Sequence, residues 1–191
     1  MNIGLVRHGQ TDWNAKGIIQ GQTDIPLNAE GINQAKALAG RLAQEEAFWD
    51  AVSSSDLLRA RETAAIIAER LQVPLLAPDP RFRERGFGQI EGTTEDERIK
   101  RWGSDWREQG LGIETDEELR SRGVSAIADL LQREEGRNVL IVSHGGFIAQ
   151  MLQELCDELT DARLGNMSYS ILERRGDGWL PLLHNCTRHL E

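Results

Sequence analysis

The chain has 191 residues, 39% hydrophobic and 28% charged, a balance that excludes a disordered polymer and suits one domain spanning residues 1–191. Its 22 basic and 31 acidic side chains give a formal charge of −9, which excludes nucleic acid as a first choice of partner unless the cations are gathered in one place. No apolar run approaches the roughly 18–20 residues of a membrane span. Met1 to His8 enters a strand pattern without a secretion signal, and Cys156 and Cys186 lack the spacing of a disulfide framework or zinc site, so a cytoplasmic protein with two reduced thiols is predicted.

Short β-branched runs alternate with helical patterns, the rhythm of an α/β fold: a three-layer α/β/α sandwich around a mostly parallel sheet of about six strands. Ile3 to Val6 is the first strand and stops in the polar cluster Arg7 to Thr11. Asn28 caps a helix with Ile32, Ala35, Ala39 and Leu42 on one face, ending near Glu46. A strand at Ala51–Ser53 leads through the cap candidates Ser54 and Ser55 into a helix carrying Leu58, Ala65, Ile66 and Leu71, with Arg59 in its first turn.

Val73 to Ala77 is a third strand bracketed by Pro74, Pro78 and Pro80, which mark its ends or an edge position rather than a central ladder, and Arg81 to Gly88 is a loop. Residues 94–114 form an irregular helix with Trp102 and Trp106 at i, i+4 spacing, either core packing or the rim of a pocket. Thr115 and Glu118 make a capping box for a helix with Leu119, Ile127, Leu130 and Leu131, reaching about Glu135. Val139 to Val142 reads as a strand buried on both faces and stops at Ser143-His144-Gly145-Gly146. A helix from Phe147 to about Leu155 and two closing strands, Tyr169–Glu173 and Trp179–Leu183, complete the chain.

In such a sheet the ligand crevice lies beyond the carboxyl ends of the strands. Arg7 and His8 follow the first strand, Arg59 the second, Glu84 the third and His144 the fourth. Guanidinium forks match phosphate oxygens and helix N-termini add backbone donors, so this set points to phosphate. Taken singly each residue has another reading: Arg59 paired with Glu62 on its own helix, Arg7 a strand-end charge, Glu84 one member of a salt-bridge cluster with Arg81, Arg83 and Arg85, and Glu91 a loop brace or a second carboxylate. His184 and His189 read as ordinary structural or surface histidines, and Asp12 and Trp13 as shaping the first loop.

Leu5-Val6-Arg7-His8-Gly9-Gln10-Thr11, Trp13-Asn14, Gln20-Gly21 with Asp24 and Pro26-Leu27, Ser54 to Arg61, Glu84 to Gly92, Val142 to Gly146 and Asn185 to Leu190 together resemble the histidine phosphatase superfamily, the phosphoglycerate mutase-like proteins. The resemblance implies His8 as a nucleophile forming a phosphohistidine. It implies Arg7, Arg59 and His144 as a phosphate clamp, Asn14 as a neutral donor, Gln20 and Gly21 in a loop reaching the substrate, and Glu84 as general acid and then base. It implies no metal and no cofactor, and as partner a small phosphorylated metabolite; it leaves open whether the chain is a homodimer.

A phosphomonoester hydrolase is thus expected, with a phosphoglycerate mutase or a silent phosphate-ligand binder as alternatives. Mutases of the family are generally longer after the position of Glu84 and usually carry Glu-Ser where this chain has Gln10-Thr11. Ile90 stands where relatives commonly carry Trp, which leaves substrate preference open. A metallohydrolase built on His8, His144 and carboxylates such as Asp12 has no supporting His-x-His or His-Glu-x-x-His spacing.

Overall fold

The computed structural model describes residues 1–45, 49–156, 159 and 164–191. Five strands, β1 (Asn2–Arg7), β2 (Ala51–Ser54), β3 (Val139–Ser143), β4 (Tyr169–Arg175) and β5 (Gly178–Cys186), form one sheet of order β2-β3-β1-β4-β5. The three strands β2, β3 and β1 run parallel, in a register that sets Arg7 beside Ser143 and Ser54 beside Val142. Their carboxyl ends therefore share one rim. β4 pairs antiparallel with β1, and β5 with β4.

The sheet has five strands rather than about six because the expected strand at Val73–Ala77 makes only one bridge, Leu75 to Val52. Pro74 has no N–H to donate but its carbonyl accepts from Val52 N at 2.9 Å, and Leu76 N donates to Val52 O at 2.8 Å. The prolines confine this segment to the edge, one of the two placements open from the sequence, and shorten it as well.

Alternation along the strands divides the core in two. In chain order the described helices are α1 (Asp12–Ala15), α2 (Ala29–Leu42), α3 (Leu58–Leu71), α4 (Glu95–Trp102), α5 (Asp116–Arg133) and α6 (Gly145–Leu155). Val6, Val52, Leu140 and Val142 face one layer, α2 and α3; Ile3, Leu5, Val139 and Ile141 face the other, α5 and α6. Val139 to Val142 is fully buried on both faces, and each such side chain stabilises the fold by about 1.5–3 kcal/mol. This is the three-layer sandwich expected from the sequence.

Asn28 caps α2 through Gly31 N at 2.8 Å, as expected, but the helix ends at Leu42, and Glu46 lies outside the described residues. Ile32 is 37% exposed instead of buried. The inner face runs through Gly31, Ala35, Leu38, Ala39 and Leu42, because the α2 N-terminus docks by its backbone: a Cβ on Gly31 would lie 2.1 Å from Gln10 O. In α3 the buried positions are Arg59, Ala60, Thr63, Ala64, Ile67 and Ala68, while Ala65 is exposed and Leu58, Ile66 and Leu71 are half-buried. Small residues dominate this face since α3 packs closely on α2 and the sheet.

Thr115 and Glu118 form the expected capping box of α5. The irregular stretch resolves into a helix, α4 (Glu95–Trp102), and a 3-10 turn at Trp106–Glu108, so the two tryptophans are not on one helix. They pack with Ile90, Phe87, Leu111 and Ile113 in a separate small core. Ile90 is fully buried there.

Candidate active site

β1 ends by passing His8 across the rim, where His8 N donates to Ser143 O at 3.0 Å and ties the first strand end to the third. The ring is 2% exposed and has two one-way partners. Nδ1 lies 2.7 Å from Gly9 O, which can only accept, so Nδ1 carries the proton. Nε2 lies 3.2 Å from Arg59 Nε, which can only donate, so Nε2 presents a lone pair. Burial, then Arg59 and Arg7, hold the His8 pKa well below 6.5, and the ring is neutral at physiological pH.

Arg59 is completely buried in the first turn of α3. Its Nη1 donates to Thr23 O at 2.9 Å and its Nη2 to Gly21 O at 2.7 Å, leaving Nε for His8. Glu62 is not its partner; that carboxylate accepts from Leu27 N at 2.8 Å. Burial above all lowers the guanidinium pKa to about 10. The α3 N-terminus is capped by Asp24, which accepts from Leu58 N at 2.7 Å. Ser54 is not the cap, and Ser55 accepts from Leu57 N at 3.2 Å.

His144 follows β3 as His8 follows β1, and the rings meet edge to face with centroids 5.1 Å apart. His144 Nε2 lies 2.9 Å from Ser55 Oγ, while its buried Nδ1 meets no hydrogen-bond partner among the described residues. Burial first, then Arg59, His8 and Arg7, keep its pKa well below 6.5. Arg7 bonds Leu164 O through Nη1 and lies along Gly145, where a Cβ would come within 3.2 Å of its Nε. Two neutral imidazoles and two guanidiniums are thus gathered at one rim of the sheet in an acidic protein.

Glu84 faces the same rim. Oε2 accepts from Gly146 N at 2.9 Å and Oε1 from Phe147 N at 2.9 Å and Arg85 N at 2.8 Å, so the carboxylate sits on the N-terminus of α6, two residues beyond His144. The neighbouring arginines turn elsewhere: Arg81 to Asp79 and Asp129, Arg83 to Asp56, and Arg85 to Asp116. Glu84 is therefore not part of a shared salt-bridge cluster.

The remaining expected site residues form the second layer of the rim. Asn14 Oδ1 accepts from Thr11 N at 3.2 Å and from Asn166 Nδ2 at 3.2 Å, and Asn166 also reaches His8 O at 3.4 Å. Gln20 Oε1 accepts from the Thr11 hydroxyl at 2.5 Å, and Gly21 meets Arg59 through its carbonyl. Glu91 is a loop brace: it accepts from Gln22 N, Thr23 N, Thr23 Oγ1 and Phe87 N, and Gly21, at φ +52, leaves no room for a Cβ beside it.

Sequence reasoning missed Thr63, which accepts from Gly9 N at 3.2 Å and donates to Arg59 O at 2.8 Å, although its place one turn after Arg59 was a usable signal. No comparable signal pointed to Asn166.

The model of the histidine phosphatase superfamily, branch 1, matches residues 3–187. The chain is 39% identical over 191 residues, covering 98% of itself and 96% of the relative, to a Bacillus subtilis protein called an uncharacterized phosphatase, PhoE. It is 34% identical to a metal-independent phosphoserine phosphatase of Arabidopsis thaliana (93% and 78% covered) and 35% identical to a probable phosphoglycerate mutase GpmB of Escherichia fergusonii (94% and 88% covered). A phosphoserine phosphatase of Entamoeba histolytica, solved in complex with phosphoserine, superposes with a TM-score of 0.80 at 29% identity, covering 100% of this chain and 99% of that one. The chain belongs to the histidine phosphatase superfamily, branch 1, whose enzymes act through a phosphohistidine intermediate.

Proposed function

We propose that the chain is a cytoplasmic, metal-independent phosphomonoester hydrolase in which His8 Nε2 takes the phosphoryl group of a small phosphorylated metabolite. The observation that carries this reading is the fixed tautomer of His8: a neutral, buried ring with its lone pair at Nε2, among Arg7, Arg59 and His144. In the first step the Nε2–P bond forms, the P–O bond to the leaving alcohol breaks, and that alkoxide takes the proton of the Glu84 carboxyl group. In the second step a water oxygen bonds phosphorus, the Nε2–P bond breaks, and Glu84 recovers a proton from the water.

Arg7, Arg59 and the open Nδ1 of His144 act on the phosphoryl oxygens, where charge must be held through both steps. Arg59 Nε gives up His8 to the incoming phosphate. Asn14 adds a donor through its amide, and Gln20 and Gly21 set the loop that carries the rest of the substrate. Phosphoserine and 3-phosphoglycerate represent the substrate class to screen, since solved relatives are phosphoserine phosphatases bound to one or the other.

The test is release of inorganic phosphate from p-nitrophenyl phosphate in excess EDTA, with His8→Ala alongside. Turnover that persists in EDTA and falls at least about 1,000-fold in the variant is expected. Turnover lost in EDTA, or retained by His8→Ala, overturns the reading. Because probable mutases stand among the relatives, the same samples are assayed for 3-phosphoglycerate isomerisation; isomerisation faster than phosphate release would establish the mutase instead.

A further inference from the structure

The loop that carries Glu84 has little regular structure, yet its carbonyls are not left to solvent. Phe82 O accepts from the buried Ser143 hydroxyl at 2.7 Å. Arg81 O, Arg83 O and Glu84 O all accept from one side chain, Arg122 on α5: Nη1 donates to Arg81 O at 2.6 Å and to Arg83 O at 2.8 Å, and Nη2 to Glu84 O at 2.9 Å. Arg122 also grips Glu114 bidentately, Nε to Oε1 at 2.6 Å and Nη2 to Oε2 at 2.9 Å, and its guanidinium lies 5.6 Å from the centroid of Phe147. All five N–H donors of the fork are thereby used.

Glu114 in turn accepts from Gly86 N at 2.9 Å, so the pair holds the loop on both sides of Glu84. On the opposite side the Glu84 carboxylate rests against Gly146, where a Cβ would stand 2.6 Å from Oε1. The carboxyl group is clasped between a guanidinium behind its backbone and a helix terminus in front. From this arrangement we infer that Arg122 is a positioning residue for the reaction, fixing Glu84 where it protonates the leaving alcohol. The inference rests on the phosphohistidine phosphatase reading. Proton transfer demands heavy atoms within about 2.6–3.2 Å, and a misplacement of about 1 Å costs on the order of 100-fold.

The readout that separates positioning from general stability is the leaving group. The parameter kcat/KM reports only steps through release of the first product, so p-nitrophenolate, which leaves without a proton, does not depend on Glu84, whereas a serine or glycerate alkoxide does. Arg122→Lys keeps the charge and much of the stem but has three donors from one point in place of a planar fork. It is compared with Arg122→Ala, with Glu84→Gln, and with the double variant Glu84→Gln/Arg122→Lys, on phosphoserine and on p-nitrophenyl phosphate.

Expected is a roughly 10- to 100-fold fall in kcat/KM for phosphoserine, or for whichever alkyl phosphate the wild type hydrolyses, against less than about threefold for the aryl ester. No further fall beyond about twofold is expected when Arg122→Lys is added to Glu84→Gln. Equal losses on both esters, or effects that multiply in the double variant, overturn the proposal while leaving the phosphatase reading standing. Absence of turnover by the wild type on every ester overturns that reading and the proposal with it. Should Arg122→Ala fail to fold, the lysine variant, checked for native circular dichroism, decides alone.

Discussion

Arg59→Met offers a sharp separation of stability from function. Among the described residues Arg59 makes no ion pair, although it is completely buried and surrounded at longer range by Glu84, Asp24, Glu91 and Arg7. Burial lowers its pKa from the ordinary guanidinium value to about 10, so the folded state disfavours this cation by on the order of 3 kcal/mol at neutral pH. Methionine fills much of the same volume without a charge and removes that penalty. It also strands Gly21 O and Thr23 O, at about 1–3 kcal/mol each once water is excluded. The two effects nearly cancel.

Equilibrium urea unfolding of Arg59→Met should therefore lie within about 1.5 kcal/mol of wild type, and the melting temperature within about 5 °C. Replacing a buried charge by an apolar isostere often has this outcome. Function should not survive. Inorganic phosphate at about 100 times its Kd stabilises a binding protein by about 2.7 kcal/mol, and this phosphate-dependent rise in melting temperature should vanish in the variant along with turnover of p-nitrophenyl phosphate. A loss exceeding about 3 kcal/mol in urea would refute the buried-cation argument. Retention of the phosphate response would refute the place given to Arg59 in the clamp.

The pH dependence of stability follows from the histidines. His8 and His144 have folded pKa values well below 6.5, with His189 displaced the same way by burial and Arg41, so the unfolded chain binds protons that the native one refuses. Their stabilisation is complete above pH 6.5 and is lost as pH falls below it, at up to about 1.4 kcal/mol per pH unit for each ring. Urea titrations at pH 7.5, 6.5 and 5.5 should show this, and His144→Ala should flatten the slope; an unchanged slope would contradict it. Gly31→Ala should destabilise by about 1–2 kcal/mol, overlap with Gln10 O outweighing the gain in helix propensity, and should also lower turnover because Gln10 adjoins the His8 loop. Wild-type stability with full activity would show that α2 docks with slack.

Much of this protein is legible in its sequence. Short apolar β-branched runs alternating with helical patterns, the Asn28 and Thr115 caps, and prolines bracketing Val73–Ala77 announce a three-layer α/β fold, since each is a local backbone preference. Arg7, His8 and His144 drew notice because they directly follow apolar strand runs, Arg59 because it opens the helix after the second, and Glu84 because it lies in the loop after the expected third. The inner face of α3 was misread, as small residues that allow close packing leave no hydrophobic signal. Which carboxylate answers which arginine, which nitrogen of His8 is open, and that Arg122 reaches the Glu84 loop were settled only by the tertiary structure. Those facts depend on strand register and on the angle at which α5 crosses the sheet. A side chain's donors are spent on whatever acceptors packing brings within about 3 Å, and sequence separation carries no record of that distance.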